Sequence, residues 1–237
     1  MKNTLKRIAA RLSKRRQQEL KRLYFGRQIR RGRFRTDEQE YELLPDFVSP
    51  GDWVLDVGAN VGHYTQRMSQ LVGPAGRVIA FEPVPDTFEL LAANAALFAD
   101  HNVTLINAAA SAASGVVRME IQQFQSGLAN YYMARITDSG PGLEVLCTAI
   151  DRLALPHKVR LAKIDTEGNE LKVLQGMVEI LRSDHPILIV EDNVPEVPAF
   201  LAGFGYTERK LAGSSNRLFY FEAGIGEALR RRLSALG

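Results

Sequence analysis

The sequence runs Val54-Leu55-Asp56-Val57-Gly58-Ala59-Asn60-Val61-Gly62 where an apolar strand pattern passes directly into a helical pattern. Glycines at positions 58 and 62 allow the backbone to turn tightly and to approach a ligand closely. The helix that follows presents unpaired N–H groups at its N-terminus, and open parallel sheets bind ligands at this carboxyl edge of their strands. The stretch therefore predicts an α/β fold with a nucleotide-like ligand at the turn.

Outward from this turn, short segments rich in Val, Ile and Leu alternate with helical patterns. The predicted strands are Trp53–Val57, Arg77–Phe81, Val103–Asn107, Arg160–Ile164 and Ile187–Val190. The predicted helices are Val61–Leu71, Asp86–Phe98 and Asn169–Leu181. Strands that are apolar along their whole length are typical of a parallel sheet buried on both faces. The pattern therefore predicts a mostly parallel sheet with helices on both faces.

Two regions depart from this alternation. Near the C-terminus, Tyr206–Leu211 and Arg217–Phe221 flank a Gly-Ser-Ser-Asn turn, which predicts an antiparallel hairpin at one edge of the sheet. In the middle of the chain, Val116–Ile121 and Leu143–Ile150 have strand character. The polar stretch Gln122–Pro141 between them predicts a long loop, and long loops inside compact domains commonly cover a binding site.

The spacing of the first turn discriminates between nucleotide-like cofactors. A dinucleotide-binding G-x-G-x-x-G motif that starts at Gly58 needs glycine at two positions that hold Asn60 and His63. The turn therefore lacks a close-packed cradle for a pyrophosphate. A cofactor that carries both a carboxylate and an amine suits a turn that combines N–H donors with the acid Asp56, and S-adenosylmethionine is such a cofactor.

Two further polar residues end neighbouring strands at the same edge. Glu82 follows the second strand, 24 residues after Gly58, where its carboxylate can accept hydrogen bonds from both ribose hydroxyls. Asn107 ends the third strand, near the expected position of an adenine ring. The predicted cofactor-binding residues are Asp56, Gly58, Asn60, Gly62, Glu82 and Asn107.

Three motifs in order resemble the FkbM family of S-adenosylmethionine-dependent methyltransferases. They are Asp56–Gly62, Phe81-Glu82-Pro83, and Lys163-Ile164-Asp165-Thr166-Glu167-Gly168-Asn169-Glu170 followed by Val173-Leu174-Gln175-Gly176. The resemblance covers roughly residues 38–221, and the Lys-Ile-Asp-Thr-Glu-Gly block is more specific than the glycine turn. It implies a class I methyltransferase (Rossmann-like) fold with a seven-stranded sheet. It also implies O-methylation of a hydroxyl on a sugar, glycolipid or natural-product acceptor.

Methyl transfer to a hydroxyl requires alignment of the nucleophile and removal of its proton. Asp165 ends the fourth strand beside the predicted cofactor cleft, so we expect it to be the catalytic base. His63 is a second candidate, because a helix N-terminus disfavours imidazolium and leaves a neutral ring that accepts a proton. Lys163 is expected either to orient Asp165 or to be a solvated lysine at the strand end.

Further carboxylates follow the fifth strand at the same edge, at Glu191 and Asp192. Together with Asp165, they form an all-oxygen set of the kind that suits Mg²⁺. A divalent cation there would lower the pKa of the acceptor hydroxyl directly. The sequence thus leaves two catalytic hypotheses open, a carboxylate base and a magnesium ion.

The net charge of +3 conceals two oppositely charged parts. The first 35 of the 237 residues hold fourteen Lys and Arg against Glu19, a net charge of +13, which leaves −10 on the remainder. Apolar residues recur at helical spacing among these cations, which is typical of an amphipathic helix at a membrane surface. Packing of this helix on the acidic remainder, an organellar presequence, and nucleic-acid binding are the alternatives. We expect nucleic acid least, because aromatic residues are few and no recognisable module is present.

Cysteine usage and hydropathy indicate where the protein folds. Cys147 stands alone, so an internal disulfide is excluded and a reducing compartment is favoured. No stretch approaches the length of a membrane-spanning segment. We therefore expect a cytoplasmic protein, with peripheral contact at the inner face of a membrane through residues 1–35.

The predicted organisation has three parts. They are a basic helical extension over residues 1–37, a methyltransferase domain over residues 38–224 and a short basic helix over residues 225–237. The motifs do not determine the acceptor atom, so an N-methyltransferase on the same fold is the nearest alternative. From another class, the fold could be a non-catalytic cofactor-binding module that the basic segment recruits to membrane or nucleic acid. The oligomeric state does not follow from the sequence.

Overall fold

The computed structural model describes residues 12–123, 129–137, 141–211 and 213–234. The α-helices of this part are α1 (Lys14–Arg30), α2 (Gln39–Phe47), α3 (His63–Val72), α4 (Pro85–Ala95), α5 (Glu170–Gln175), α6 (Val178–Ser183), α7 (Val197–Ala202) and α8 (Glu227–Ser234). The strands are β1 (Trp53–Val57), β2 (Arg77–Phe81), β3 (Val103–Ile106), β4 (Ala109–Ala110), β5 (Gly115–Gln123), β6 (Ala129–Ile136), β7 (Leu143–Thr148), β8 (Val159–Ile164), β9 (Ile187–Glu191), β10 (Thr207–Lys210) and β11 (Asn216–Tyr220). Short 3-10 helices span Ile150–Leu153 and Glu222–Gly224.

The main sheet has seven strands in the order β10-β11-β9-β8-β1-β2-β3. Strands β9, β8, β1, β2 and β3 are parallel, whereas β11 is antiparallel to both β9 and β10. The predicted parallel sheet with an antiparallel C-terminal hairpin is therefore confirmed. Because β1 lies between β8 and β2, its carboxyl end meets the ends of both neighbours at one edge of the sheet.

The core lies on both faces of this sheet, as expected for strands that are apolar throughout. On one face, Leu55 and Val57 pack with residues of α5, α6 and α7. On the other, Val54 packs with residues of α2, α3 and α8. The alternation of neighbouring β1 residues between the two faces follows from the two-residue period of a strand.

A second sheet of four strands, in the order β4-β7-β5-β6, occupies the region where a long loop was predicted. The prediction of a loop over Gln122–Pro141 is wrong, because Ala129–Ile136 forms β6 and pairs antiparallel with β5. Ala134 packs in the small apolar cluster of this sheet, and Arg135 forms an ion pair with Glu120 across the strands. The flanking polar and glycine residues concealed this strand. Residues 124–128 and 138–140 of the predicted loop lie outside the described residues.

The single helix predicted over Asn169–Leu181 is also wrong, because α5 and α6 are separate helices. Gly176 lies between them, where an added Cβ atom would approach the Ser111 carbonyl oxygen to 2.0 Å. The chain turns here so that its backbone can pack against a neighbouring segment. The apolar periodicity continues across the turn because the side chains on both sides enter the same core, and periodicity alone therefore does not reveal the break.

The N-terminal helix α1 packs on α4. Phe25 and Ile29 of α1, together with Phe34, join an apolar cluster with residues of the body. Gln18 donates a hydrogen bond from Nε2 to the Asp86 carbonyl oxygen, 2.9 Å away. Residues 1–11, which carry the first part of the predicted amphipathic pattern, lie outside the described residues. Within the described residues, no helix combines the length and apolar character needed to cross a bilayer.

The turn after β1 makes the closest backbone approach at the carboxyl edge. Gly58 has a φ of +83°, and an added Cβ atom would lie 1.8 Å from the carbonyl oxygen of Asp165. The N–H groups of Gly58 and Ala59 both donate to the Phe81 carbonyl oxygen, at 3.0 and 2.8 Å. Glycine at position 58 thus allows the ends of β1, β2 and β8 to converge.

The substitution Gly58→Ala should destabilise the fold by at least about 3 kcal/mol. A left-handed backbone costs a non-glycine residue about 1–2 kcal/mol, and the collision with a backbone carbonyl adds a similar amount. Gly51→Ala is the matched control, because Gly51 has a φ of +94° but open space around its Cβ position. Urea denaturation measures both free energies of unfolding. Equal losses in the two variants would contradict the steric argument.

Candidate active site

Two neighbouring cavities open at the carboxyl edge of the main sheet. The first has a volume of about 280 Å³ and the second about 330 Å³. Both are lined by Glu38, Gly58, Asn60 and Asp165. These four residues therefore form the boundary between the cavities, and sequence reasoning predicted all of them except Glu38. Glu38 precedes β1 in a segment without a motif, so nothing in the sequence pointed to it.

Glu82 follows β2, lines the first cavity and is only 6% exposed. Its two carboxylate oxygens accept hydrogen bonds from the backbone N–H groups of Asn60 and Val84, at 3.0 and 2.9 Å. Burial raises the pKa of this carboxyl group to about 7, although both hydrogen bonds act in the opposite direction. Each oxygen keeps a further lone pair, so the group can still accept hydrogen bonds from a ligand.

Lys163 is 3% exposed and lies between two carboxylates. Its Nζ is 2.6 Å from Oδ2 of Asp165 and 4.5 Å from the centre of the Tyr64 ring. Burial acts to lower the pKa of Lys163, but the charges of Asp165 and Asp56 outweigh it and raise that pKa. Of the two expectations for Lys163, the solvated strand-end lysine is wrong. The apolar strand around it carries the chain into the core, where two acids compensate its charge.

Asp56 is buried at the end of β1, opposite Lys163 in the sheet. Its Oδ2 accepts a hydrogen bond of 2.5 Å from the Thr65 hydroxyl of α3. Burial raises the pKa of Asp56, and Lys163 and Thr65 oppose this effect. Asp56 also lines the second cavity, so it belongs to the site while anchoring α3 to β1.

His63 is the first residue of α3 and lines the second cavity. Its ring stacks on Phe34, with 4.1 Å between the ring centres, and Phe25 packs edge-on against it. Burial lowers the pKa of His63 to about 4, so the imidazole is neutral at physiological pH. The predicted neutral ring is thus present, in an aromatic contact with the N-terminal segment. The function of His63 as a base stays a prediction.

Three carboxylates converge beside the two cavities. One oxygen from each of Asp165, Glu167 and Glu191 lies within 4.8 Å of the others, and Glu191 also accepts a hydrogen bond from the Glu167 backbone N–H at 3.2 Å. Burial and then the charge of Asp165 raise the pKa of Glu191 to about 8. Glu191 is therefore mostly protonated at neutral pH.

The structure brings together only two of the three residues predicted to bind a metal. Asp192 forms ion pairs with Arg217 and Lys210 of the hairpin instead of joining Asp165 and Glu191. Glu167 takes the third position. Its left-handed backbone, with a φ of 54°, turns the segment after β8 back toward β9, and the sequence carries no signal for this conformation of a non-glycine residue.

The two remaining residues predicted to bind the cofactor are Gly62 and Asn107. Gly62 has a φ of +97° and is the N-cap of α3, where an added Cβ atom would collide with Leu91. Asn107 is exposed, and its amide donates to the carbonyl oxygens of Glu82 and Pro83 at 2.9 and 3.2 Å. It thus supports the turn that carries Glu82. Ala108, Ala109 and Ala110, which follow Asn107, line the first cavity.

The seven-stranded sheet and the site at its carboxyl edge define a class I methyltransferase-like α/β protein. Residues 56–209 match the family described as the methyltransferase FkbM domain. The chain belongs to this family, and the resemblance carried by its three motifs is confirmed.

Two curated proteins and one solved structure illustrate the relationship. The chain is 28% identical to the hexuronic acid methyltransferase AglP of Haloferax volcanii over 65% of its length, and it spans 62% of that protein. The chain is also 27% identical to the 31-O-demethyl-FK506 methyltransferase FkbM of Streptomyces tacrolimicus. That match covers 68% of this chain and 74% of the relative. The crystal structure of methyltransferase FkbM from Methylobacillus flagellatus KT shares the fold. Its TM-score is 0.55 at 16% identity, over 74% of this chain and 44% of the other.

Replacing Lys163 with methionine should lower the free energy of unfolding by about 3–5 kcal/mol, because it leaves two carboxylates without their cation in a buried site. Lys210→Met is the control, since Lys210 pairs with Asp192 at 3.8 Å on the exposed surface. We expect the control to change stability by no more than about 0.5 kcal/mol. Urea denaturation checks both values, and similar effects of the two substitutions would contradict the role of burial.

Proposed function

We propose that this protein is an S-adenosylmethionine-dependent O-methyltransferase that acts on a hydroxyl of a sugar, glycolipid or natural product. Family membership supports methyl transfer. The acceptor class is supported by the names of the two relatives, one a hexuronic acid methyltransferase and the other a 31-O-demethyl-FK506 methyltransferase. The observation that carries the proposal is the position of Asp165, a partly exposed carboxylate that lines both cavities and is held by a buried lysine.

The residues at the turn fit the cofactor. Gly58 lines both cavities and has no side chain, so its backbone forms part of their wall. Glu82 offers buried acceptor oxygens that suit the two hydroxyls of a ribose. In this proposal Gly58, Asn60 and Glu82 hold the cofactor together with Asp56. When bound, S-adenosylmethionine supplies a methyl group activated on a sulfonium.

Asp165 acts as the general base in this mechanism. Lys163 engages Oδ2 of Asp165 and fixes the orientation of the carboxylate, which leaves Oδ1 to accept the proton of the acceptor hydroxyl. The side chain of Asp165 is 31% exposed, so the proton can pass to solvent once the product has left. Glu191, neutral at physiological pH, limits the repulsion among the three carboxylates.

The same carboxylates support a second catalytic hypothesis. Asp165, Glu167 and Glu191 offer an all-oxygen set of the kind that Mg²⁺ accepts. In that case the cation, rather than a carboxylate base, would lower the pKa of the acceptor hydroxyl. We favour the base, because Lys163 already supplies a positive charge at Asp165.

The substitution Asp165→Asn should reduce kcat at least about a hundredfold, because a general base contributes a factor of that order or more. The affinity for S-adenosylmethionine should stay within about threefold, since binding does not need this proton acceptor. Asp192→Asn is the matched control at the same edge and should keep full activity. Retained turnover in the Asp165 variant would remove it as the base.

The assay for these variants is a methyl-transfer screen across glycans, lipid-linked sugars and amine acceptors, with calorimetry for cofactor binding. Methylation of amines alone would replace O-methylation by N-methylation. No binding of S-adenosylmethionine would favour a non-catalytic module. Activity that is lost on exhaustive chelation and restored by Mg²⁺ would assign the carboxylates to a metal.

The affinity for S-adenosylmethionine should depend on pH through Glu82. The pKa of this group is raised to about 7, and ribose hydroxyls donate to the ionised form. Below pH 7 the protonated form dominates, so the dissociation constant should rise about tenfold for each pH unit. Above pH 7 the contribution of Glu82 to the affinity should be constant.

Calorimetry between pH 5.5 and 8.5 tests this dependence, over a range of about one to two pH units on either side of the Glu82 pKa. Glu82→Gln should bind more weakly throughout and lose the slope. Glu89→Gln, on the exposed side of α4, should behave like the unchanged protein. A slope that persists in Glu82→Gln would assign the titration to another group.

A further inference from the structure

The helix α1 has two different faces. Phe25 and Ile29 are buried against the body. On the opposite side, Leu20, Leu23 and Tyr24 are 49%, 66% and 59% exposed. Isolated apolar side chains are common on protein surfaces, but these three occur at helical spacing on one side of one helix. This exposed side has no packing function in the fold and requires another explanation.

Four arginines lie on the same side of α1 or directly after it. At about 100° per residue, Arg16, Arg27 and Arg30 lie about 20–80° from Leu20, on the same side as Leu23, and Arg31 follows the end of the helix. None of the ion pairs in the described part of the chain involves these four residues. The cations nearer the body are different, because Lys14 pairs with Asp86 and Arg22 with Glu89. We call the exposed residues, Leu20, Leu23 and Tyr24 with Arg16, Arg27, Arg30 and Arg31, the outer face of α1.

Part of the outer face forms an open depression of about 600 Å³. It is lined by Leu23, Tyr24, Arg27, Arg30 and Arg31, so no acidic side chain lines it. Arginine binds phosphate through paired N–H donors, and leucine and tyrosine suit the boundary between headgroups and acyl chains. A third exposed leucine, Leu97, lies beside Gly26 of the same helix.

We propose that the outer face of α1 binds the surface of an anionic phospholipid bilayer. The helix lies parallel to the membrane, inserts its apolar side chains between headgroups and pairs its arginines with lipid phosphates. Charge complementarity supports this occupant, because the face carries four arginines, and Glu19, the one acid of α1, is paired with Arg15. A nucleic acid would use the arginines but would leave two exposed leucines without a function.

This surface does not depend on the chemistry at the carboxyl edge, yet it is connected to it. The inner residue Phe25 packs on His63, with 6.2 Å between the ring centres, and His63 lines the second cavity. The membrane-facing helix therefore contacts the site through its inner face. The outer face can be altered without replacing any residue of the cavities.

The test is co-sedimentation of the full chain with vesicles of phosphatidylcholine, with and without phosphatidylglycerol. We expect binding to the anionic vesicles that weakens as salt is raised. Leu20→Gln with Leu23→Gln should reduce the partition coefficient at least about tenfold. Arg27→Gln with Arg30→Gln should reduce it by a similar factor. Equal binding to neutral vesicles would overturn the proposal.

Two matched variants control for the loss of an exposed apolar group or of charge elsewhere. Leu146→Gln removes a leucine that is 65% exposed on β7, and Arg152→Gln with Arg231→Gln removes the same charge from distant surfaces. Both should bind vesicles like the unchanged protein. An equal loss in these controls would show non-specific adhesion and overturn the proposal. Unchanged circular dichroism and cofactor affinity establish that the α1 variants are folded.

Two further measurements separate the other occupants of this surface. The first is fluorescence anisotropy with a short DNA duplex. If the protein binds the duplex but not vesicles, and the leucine variant binds the duplex equally well, the arginines are assigned to nucleic acid. The second is analytical ultracentrifugation. If the unchanged protein is a dimer that does not bind vesicles, and the leucine variant is a monomer, the outer face is assigned to self-association. Either result overturns the lipid proposal, whereas the activity of the carboxyl-edge site is measured separately in the methyl-transfer screen.

Discussion

The backbone contact between Gly58 and Asp165 is the constraint on which the site depends. The Asp165 carbonyl oxygen occupies the space that a side chain at position 58 would need, and the Asp165 N–H donates to the Val57 carbonyl at 3.0 Å. Neighbouring strands thus end at the same level, and the residues that follow them face common cavities. A bulkier residue at position 58 would separate the turn from the proposed base.

Charge compensation at this edge is local. Lys163 gives up its hydration in the core, which is costly, and the carboxylates of Asp56 and Asp165 offset that cost. Such a buried pair contributes less to stability than an apolar replacement often would. In the proposed mechanism its function is orientation, because Lys163 engages Oδ2 of a carboxylate that lines both cavities. Glu191, protonated at neutral pH, allows a third carboxyl group to lie close by.

Local charge pairing also attaches the helix α1 to the rest of the fold. Its inner cations pair with Asp86 and Glu89 of α4, so part of the acidity of the body serves to hold α1. The aromatic contact of Phe34 with His63 continues this attachment as far as the second cavity. The described part of the basic segment, from residue 12, thus packs on the fold, and none of the ion pairs of the described residues involves its outer arginines. An enzyme held at a bilayer by this helix would meet lipid-linked acceptors at the surface.

Local patterns in the sequence determined the parallel sheet, the hairpin and the positions of Gly58, Glu82 and Asp165, because strand hydrophobicity and turn glycines are properties of neighbouring residues. Tertiary structure alone decided the rest. Lys163 is buried because acids from two strands surround it, Glu167 replaces Asp192 because a left-handed turn and a hairpin arginine redirect the two side chains, and β6 exists because β5 lies beside it. Asp56 lies opposite Lys163, and Arg217 pairs with Asp192, from positions distant in the sequence, and no local pattern encodes that approach.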